Sequence, residues 1–113
     1  MSGYLTTHVL DTGRGVPAEG LEIELYRLGA GRDKLARKVT NADGRTDGPI
    51  LPQDAFETGT YELVFHAGDY FARSGQTKAF LDVVPLRFSM SEASHFHVPL
   101  LLSPFSYATY RGS

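Results

Sequence analysis

The sequence contains no cysteine, and this absence excludes two classes of protein. A disulfide framework needs paired cysteines, and a thiolate enzyme needs at least one. The absence is compatible with a reducing compartment, where disulfides do not persist. With 113 residues the chain has room for one core, and we expect a single domain spanning residues 1–113.

Positive charge and long apolar runs are also scarce. The 11 Lys and Arg stand against 13 Asp and Glu, a formal net charge of −2, so we expect no nucleic-acid partner. The longest apolar run, residues 98–102, is far shorter than the roughly 20 residues that span a bilayer, so we expect no membrane partner. Neither a secretory signal nor a peroxisomal Ser-Lys-Leu end is visible, which favours the cytoplasm by default.

Two familiar catalytic signatures are missing as well. No Gly-x-Ser-x-Gly element is present, so a Ser-His-Asp hydrolase is not indicated. Residues 13–15, Gly-Arg-Gly, lack the strand-to-helix context of a phosphate-binding loop. We interpret Asp11 as a turn carboxylate at the start of a turn that covers residues 11–17.

The chain does contain many short segments in which apolar and polar residues alternate. Gly, Pro, Asn and Asp separate these segments, and seven or eight short strands predict an antiparallel β-sandwich. Edge positions are expected for 35–40, which is highly charged, and for 80–90, which contains Pro85. One or two helical turns, closed by Gly75, are expected over 69–75. The predicted strands are residues 4–10, 21–27, 35–40, 59–66, 80–90, 95–102 and 105–111.

A His-x-His pair begins the most apolar of these strands. Residues two apart share a face of a strand, so His95 and His97 point one way. The side chains that point the other way, to the core, are Phe96, Val98, Leu100 and Leu102. Pro99 and Leu101 accompany the histidines on the outward face, which is unusually apolar for a solvated surface. We therefore expect a second surface to cover it.

Several chemical roles fit these histidines. His8 shares an outward face with His97 if their strands are neighbours, and two imidazoles that titrate near neutrality can move protons and activate water. The pair His95 and His97 could instead form half of a zinc site, whose third ligand would have to be His8, His66 or a carboxylate. No motif supports such a third ligand. Histidines without a role remain the plain alternative.

Two further groups could bind a substrate. Arg45 directly follows the turn at Asp43 and Gly44, and over a pocket it would anchor an anion or a polarised carbonyl. A solvated charge is the simpler interpretation of an arginine at a strand start. Residues 110–113, Tyr-Arg-Gly-Ser, place an aromatic ring, a guanidinium and a hydroxyl beside a terminal carboxylate. On its own, such a tail would be read as frayed.

Taken together, the motifs resemble the 5-hydroxyisourate hydrolases, the transthyretin-related enzymes of urate breakdown. The matching segments are Leu-Thr-Thr-His-Val-Leu-Asp at 5–11 with Gly-Val-Pro-Ala at 15–18, Thr-Asn-Ala-Asp-Gly-Arg at 40–45, and 95–104 with the final Tyr-Arg-Gly-Ser. The His-x-His together with the final four residues is highly specific. In transthyretin, the hormone carrier, Lys, Glu and Thr occupy the positions that match His8, Arg45 and His97, and the chain continues further.

The resemblance implies an all-β, transthyretin-like antiparallel sandwich of two four-stranded sheets with one short helix. It also implies a homotetramer, a dimer of dimers, with active sites where the dimers meet. No cofactor or metal is expected. The implied catalytic residues are His8, Arg45, His97 and Ser113, and the implied substrate-binding residues are Tyr110, Arg111, Leu10 and Pro99.

The activity implied by the resemblance is hydrolysis of the ring amide of 5-hydroxyisourate by water, assisted by histidine and arginine. The product would be 2-oxo-4-hydroxy-4-carboxy-5-ureidoimidazoline. Two alternatives stay open at this point. One is a transthyretin-like carrier that binds a small aromatic ligand without chemistry, and the other is a zinc-dependent hydrolase built on His95 and His97.

Overall fold

The computed structural model describes residues 3–112, and it consists mainly of strands. No helix in this range is long and apolar enough to cross a membrane. The strands are β1 (Tyr4–Asp11), β2 (Val16–Pro17), β3 (Glu22–Leu28), β4 (Arg32–Val39), β5 (Gly59–His66), β6 (Val83–Met90), β7 (His95–Ser103) and β8 (Ser106–Thr109). A 3-10 turn, Gln53–Ala55, precedes β5, and helix α1 (Ala67–Arg73) follows it.

The strands form two four-stranded sheets, in the orders β2-β1-β7-β8 and β4-β3-β5-β6. This confirms the predicted sandwich with one short α-helix. It also confirms that β4 and the Pro85-containing β6 lie at sheet edges. One pair, β1 with β7, runs parallel, whereas the other pairs are antiparallel. Alternation of apolar residues is the same in both kinds of pair, so periodicity does not reveal this parallel contact.

The core lies between the sheets, where the inward faces of the strands meet. In β7 the predicted core set, Phe96, Val98, Leu100 and Leu102, is buried, and in β1 the side chains of Leu5 and Val9 are fully buried. Each buried side chain of this size contributes roughly 1.5–3 kcal/mol relative to exposure. Because successive side chains alternate, this packing turns the histidines of β1 and β7 to the opposite face.

Five predicted boundaries were wrong. The strand predicted over 35–40 begins earlier, at Arg32, and the helix predicted over 69–75 covers Ala67–Arg73. The strand over 80–90 begins only at Val83, and Phe80 is 68% exposed in the loop before it. The last strand covers only Ser106–Thr109 of the predicted 105–111. Within the predicted turn over 11–17, Val16 and Pro17 pair with the end of β1. Two-residue pairings of this kind are too short to show a period in the sequence.

The interpretation of Asp11 as a turn carboxylate was also incomplete, because its side chain is fully buried at the end of β1. Its Oδ2 accepts hydrogen bonds from the Tyr70 hydroxyl at 2.6 Å, the Gln76 amide at 2.9 Å and the Arg14 guanidinium at 3.0 Å. Burial alone would raise the pKa of Asp11, but these hydrogen bonds outweigh it and lower the pKa. The carboxylate thereby ties the end of β1 to α1.

Candidate active site

The parallel register of β1 and β7 brings the predicted histidines together. Thr6 pairs with His97, and His8 pairs with Pro99, two residues further along each strand. The imidazole centroids of His8 and His97 are 6.5 Å apart. The prediction that these two histidines share an outward face is therefore confirmed. They are neighbours because the first and the next-to-last strands pair, a contact that links distant parts of the chain.

Arg45 reaches the same place through a loop that packs on the backbone of β1. The Val9 N–H donates to the Gly44 carbonyl at 2.8 Å, and Arg45 forms an isolated bridge with His8. Gly44 has a φ of +74°, and a Cβ at this position would lie 2.4 Å from the Val9 carbonyl oxygen. Only glycine fits such a close approach without displacement. The turn that precedes Arg45 is thus what sets the arginine beside His8.

The surroundings of His8 and His97 favour the neutral form of both imidazoles. Burial first, and then the nearby Arg45 guanidinium, lower the pKa of both His8 and His97. No ion pair within residues 3–112 joins either histidine or Arg45 to a carboxylate. The Asp43 carbonyl accepts a hydrogen bond from His8 Nε2 at 2.9 Å, which leaves Nδ1 of the neutral ring as an acceptor. A pair of neutral imidazoles can accept protons at neutral pH.

Two residues of this site were not identified from the sequence, Thr6 and Tyr4. The Thr6 hydroxyl lies 2.7 Å from Nε2 of His95 and 2.7 Å from Nδ1 of His97. The Tyr4 ring stacks on the His95 ring, with centroids 4.1 Å apart and planes inclined by 6°. Both residues have the same parity as His8 in β1, which is the sequence signal that could have found them.

An open cleft of about 510 Å³ lies over these groups, a volume suited to a small molecule. One wall is the face of β1 and β7, and the other is the loop that carries Arg45. His8 stands beside the cleft, next to His97. The lining residues are Tyr4, Thr6, Thr7, Arg45, Thr46, Gly48, Pro49, His95 and His97.

The tail runs along β7 and contacts the back of His97. The Gly112 N–H donates to the His97 carbonyl at 2.6 Å, and a Cβ on Gly112 would lie 2.8 Å from His97 Cδ2. The Arg111 guanidinium donates to the His95 carbonyl at 3.2 Å and lies over the Phe96 ring, 4.2 Å from its centroid. Arg111 therefore binds β7 and does not point into the cleft. Ser113, a predicted catalytic residue, lies outside the described residues.

The other predicted binding residues lie around the site. Tyr110 is 60% exposed and lines a separate, mainly apolar groove together with Leu86 and Phe88. Pro99, buried beside His8, and Leu10, half-buried, continue the outward face of the sheet beyond the histidines. Neither residue lines the cleft within this single chain.

The candidate zinc ligands do not gather a third partner. Of the residues in 3–112, one group brings three ligand atoms within 4.8 Å of one another, and it is Glu22, Glu24 and His66 on the other sheet. His95 and His97 each direct a ring nitrogen to the Thr6 hydroxyl instead. The predicted third ligand of a site built on His95 and His97 is not provided by His66, which faces Glu24.

The two sheets and the cleft of histidines and arginine define a transthyretin-like sandwich that carries proton-transfer groups on an outward face. A model of the HIUase/Transthyretin family matches residues 5–112. The chain belongs to the HIUase/Transthyretin family.

Its relatives include both 5-hydroxyisourate hydrolases and transthyretins. The chain is 62% identical to 5-hydroxyisourate hydrolase 2 of Rhizobium meliloti (strain 1021) over 99% of this chain and 98% of the relative. The structure of the 5-hydroxyisourate hydrolase of Klebsiella pneumoniae matches with a TM-score of 0.85 and 39% identity, over 98% of this chain and 99% of that one. Sea bream transthyretin in complex with thyroxine matches with a TM-score of 0.88 and 29% identity, over 96% and 93%. The fold is common to both groups, whereas the sequence is closer to the hydrolases.

Proposed function

We propose that this protein hydrolyses 5-hydroxyisourate to 2-oxo-4-hydroxy-4-carboxy-5-ureidoimidazoline. The observation that carries the proposal is the meeting of His8, His97 and Arg45 beside a cleft, in a chain 62% identical to a 5-hydroxyisourate hydrolase over nearly its whole length. A passive carrier needs no such set of proton-transfer groups, so the enzyme is favoured over the ligand carrier.

Water is the nucleophile in this proposal. The sequence has no cysteine and no Gly-x-Ser-x-Gly element to supply a covalent one. The 6.5 Å between the ring centroids of His8 and His97 leaves room for one water molecule that contacts both rings. One imidazole accepts a proton from this water as its oxygen attacks C6 of the substrate, and both rings are neutral at pH 7 because their pKa values are lowered.

Arg45 then stabilises the charge that develops on the attacked carbonyl. Its guanidinium has no ion pair with a carboxylate in residues 3–112, and it lines the cleft. The tetrahedral intermediate collapses by breaking the C6–N1 bond, and the imidazolium returns its proton to N1. Water is consumed, a carboxylic acid forms, and the protein groups return to their starting state.

The tail and the outward face complete the substrate pocket. The hydrogen bond between Gly112 and His97 supports a position for the tail next to the catalytic imidazole. On the strength of the family resemblance, we assign Ser113 a catalytic role and Tyr110 and Arg111 a role in substrate binding. Tyr110 and Arg111 do not line the cleft of a single chain, so this role would require the assembled protein. Leu10 and Pro99 would form the floor beyond His8, where their faces adjoin it.

The assembly we propose is a homotetramer, built as a dimer of dimers, with the cleft at the junction of dimers. Two different surfaces support it, as a dimer of dimers requires. One is the outward face of β7, where Pro99 and Leu101 accompany the histidines. The other is the apolar groove of about 400 Å³ beside the edge strands β6 and β8.

Sedimentation analysis tests the assembly. The unaltered protein should have four times the mass of the chain. Leu101→Arg should give smaller species and reduced activity, whereas Leu35→Arg, on the exposed edge strand β4, should leave the mass unchanged. A fully active monomer would contradict the proposal.

We also propose that one hydrolase domain occupies residues 1–113, as the family match over 5–112 supports. The cytoplasmic location stays a prediction.

The activity is tested by generating 5-hydroxyisourate from urate and following its ultraviolet decay. We expect the protein to accelerate the decay well above the spontaneous rate. No acceleration would overturn the proposed function. Full activity of a His97→Ala variant would overturn the mechanism and leave the family assignment intact.

A further inference from the structure

A single hydroxyl links the two histidines of the His-x-His pair. Thr6 Oγ1 lies 2.7 Å from His95 Nε2 and 2.7 Å from His97 Nδ1, both within good hydrogen-bond range. These ring nitrogens are the hydrogen-bond partners of the Thr6 side chain within residues 3–112. The three groups therefore form a chain, with Thr6 in the middle, on the face of the sheet that carries the cleft.

The hydroxyl has one proton and two lone pairs, and the two ring nitrogens are its partners among the described residues, so its proton is used only if Thr6 donates to one ring and accepts from the other. Two ordered arrangements meet this condition. If Thr6 donates to His95 Nε2, it accepts from a proton on His97 Nδ1. If it donates to His97 Nδ1, it accepts from a proton on His95 Nε2. The tautomer of one histidine is thus coupled to the tautomer of the other.

Only the first arrangement suits a histidine that accepts a proton from water. A neutral imidazole carries one proton, so a proton on Nδ1 leaves Nε2 of His97 free as an acceptor. Nε2 has no hydrogen-bond partner among the described residues, and His97 lines the cleft. In this arrangement the neutral His95 ring accepts from Thr6 and carries its own proton on Nδ1. The stacked Tyr4 ring, at 4.1 Å, holds the plane of His95 in place.

We propose that Thr6 and His95 are positioning residues that hold His97 in the tautomer with its proton on Nδ1 and direct Nε2 to the water. The proposal rests on the proposed function. Neither residue needs to touch the reacting atoms. The last group in this series of hydrogen bonds is the neutral imidazole of His95 and not a carboxylate. The series therefore orients His97 without placing a negative charge beside it. When His97 becomes an imidazolium, its Nδ1–H bond to Thr6 becomes charge-assisted and therefore stronger.

The kinetic test compares Thr6→Val, which removes the hydroxyl at similar volume, with Thr6→Ser, which keeps it. We expect Thr6→Val to lower kcat by about 10- to 100-fold, the usual loss for an orienting partner of a functional histidine, with little change in KM. Thr6→Ser should restore most of kcat. The matched control is Thr12→Val, which removes a hydroxyl bonded to the Leu102 carbonyl outside the cleft and should leave kcat unchanged.

His95→Phe gives a second test that does not depend on Thr6. The phenyl ring preserves the stack with Tyr4 but has no nitrogen for Thr6, so kcat should fall as in Thr6→Val. Both substitutions interrupt the same series of hydrogen bonds, so the kcat of the double variant should be little lower than that of either single variant. If the two losses in kcat multiplied in the double variant, the proposal would be contradicted. A wild-type kcat in either folded single variant would contradict it as well.

Nitrogen-15 NMR of the histidine rings tests the tautomer without any substrate. In the unaltered protein above the pKa of His97, Nδ1 should carry the proton and Nε2 should not. Thr6→Val should give a mixture of tautomers, and Thr6→Ser should restore the single one. A proton on Nε2 in the unaltered protein would overturn the proposal even if the enzyme is active. A confirmed Nδ1 proton without any hydrolysis would instead place the failure in the proposed function.

Discussion

The outward faces of the two sheets both carry histidine, but they surround it differently. On the sheet of β3 and β5, His66 Nε2 lies 2.9 Å from Glu24 Oε1, and Lys34 Nζ lies 2.7 Å from the other oxygen of Glu24. The neighbouring carboxylate, Glu22, is paired with Arg37 at 2.8 Å. On the sheet of β1 and β7, the partners of the histidines are hydroxyl and carbonyl groups.

The two faces differ in whether their charged side chains have partners of opposite charge within the protein. Hydrogen bonds from Lys34 and His66 lower the pKa of Glu24 to about 2, and Glu22 is paired with Arg37, so both carboxylates have partners within the protein. On the other face, the pKa of His97 is lowered and Arg45 has no carboxylate partner in residues 3–112. Arg45 is exposed and lines the cleft, where its guanidinium is accessible to a ligand. The surroundings of a histidine, more than its presence, distinguish the candidate site.

The largest difference between the two faces is expected when one histidine is removed from each. His97→Ala should lower kcat by about 10²–10⁴-fold, because it removes a proton-transfer group. His66→Ala should leave kcat unchanged, since its ring contacts only the salt-bridge network. Initial rates of 5-hydroxyisourate decay measure both. Equal losses in the two variants would contradict the assignment of the site to one face.

The arginines allow a second pairwise test. Arg45→Ala should lower kcat by about 10²–10³-fold, the usual loss when one stabilising donor at the attacked oxygen is removed. Arg37→Ala removes a guanidinium that is already paired with Glu22, and its kcat should equal that of the unaltered protein. Steady-state kinetics decide between them, and an Arg45→Ala variant with normal kcat would exclude the role given to this residue.

A glycine substitution tests how Arg45 is positioned. Backbone contacts hold the loop of Arg45, whereas ion pairs hold the charged side chains of the other face. Gly15 and Gly44 have φ values of +70° and +74°, so alanine at either costs about 1–2 kcal/mol of conformational strain. At Gly44 a Cβ also meets the Val9 carbonyl at 2.4 Å, whereas at Gly15 nothing lies within 4 Å. Urea unfolding should therefore show a larger loss for Gly44→Ala, and only this variant should also lose activity. Equal stabilities would contradict the close approach.

The faces should also respond to acid at different pH. The pKa values of His8 and His97 lie below the ordinary 6.5, so both rings are neutral at pH 7 and become protonated only as the pH falls below 6.5. We expect kcat/KM to fall on that acid side. Glu24, with a pKa of about 2 against 4.5 when unperturbed, contributes stability above pH 4.5 that is lost between pH 4.5 and 2.

A pH–rate profile and urea unfolding at each pH measure the two effects. Glu24→Gln should reduce the loss of stability between pH 4.5 and 2 without moving the acid limb of the rate profile. If this substitution shifted the acid limb, the two faces would not be independent.

Much of the fold could be predicted because alternation reports directly on which side chains are buried. The strand over 59–66 was predicted with its observed bounds, and parity alone places His8 and His97 each on the outward side of its own strand. Parity does not say which strands are neighbours, so the parallel pairing of β1 with β7 could not be read from it. That pairing brings Thr6 between two histidines, so parity could group Thr6 with His8 but could not show that it contacts His95 and His97.

The tail shows the same limit at shorter range. Its composition identifies groups able to bind a substrate, but it does not say where each side chain points. The structure turns the Arg111 guanidinium toward the His95 carbonyl and the Phe96 ring. Asp11 is a related case, since its burial depends on Tyr70 and Gln76, residues that come close to it only through the packing of α1.

The pairing of β1 with β7 has a consequence for biosynthesis. The hydrogen bonds that Thr6 makes to His95 and His97 span 89 and 91 residues, so the two strands that form one wall of the cleft are translated far apart in time. A nascent chain on the ribosome holds β1 without its parallel neighbour until β7 has emerged. Contacts of such long range form slowly, because most of the chain must be ordered to bring their ends together. Enzymatic activity in this protein therefore requires that β7 has been made and has paired with β1.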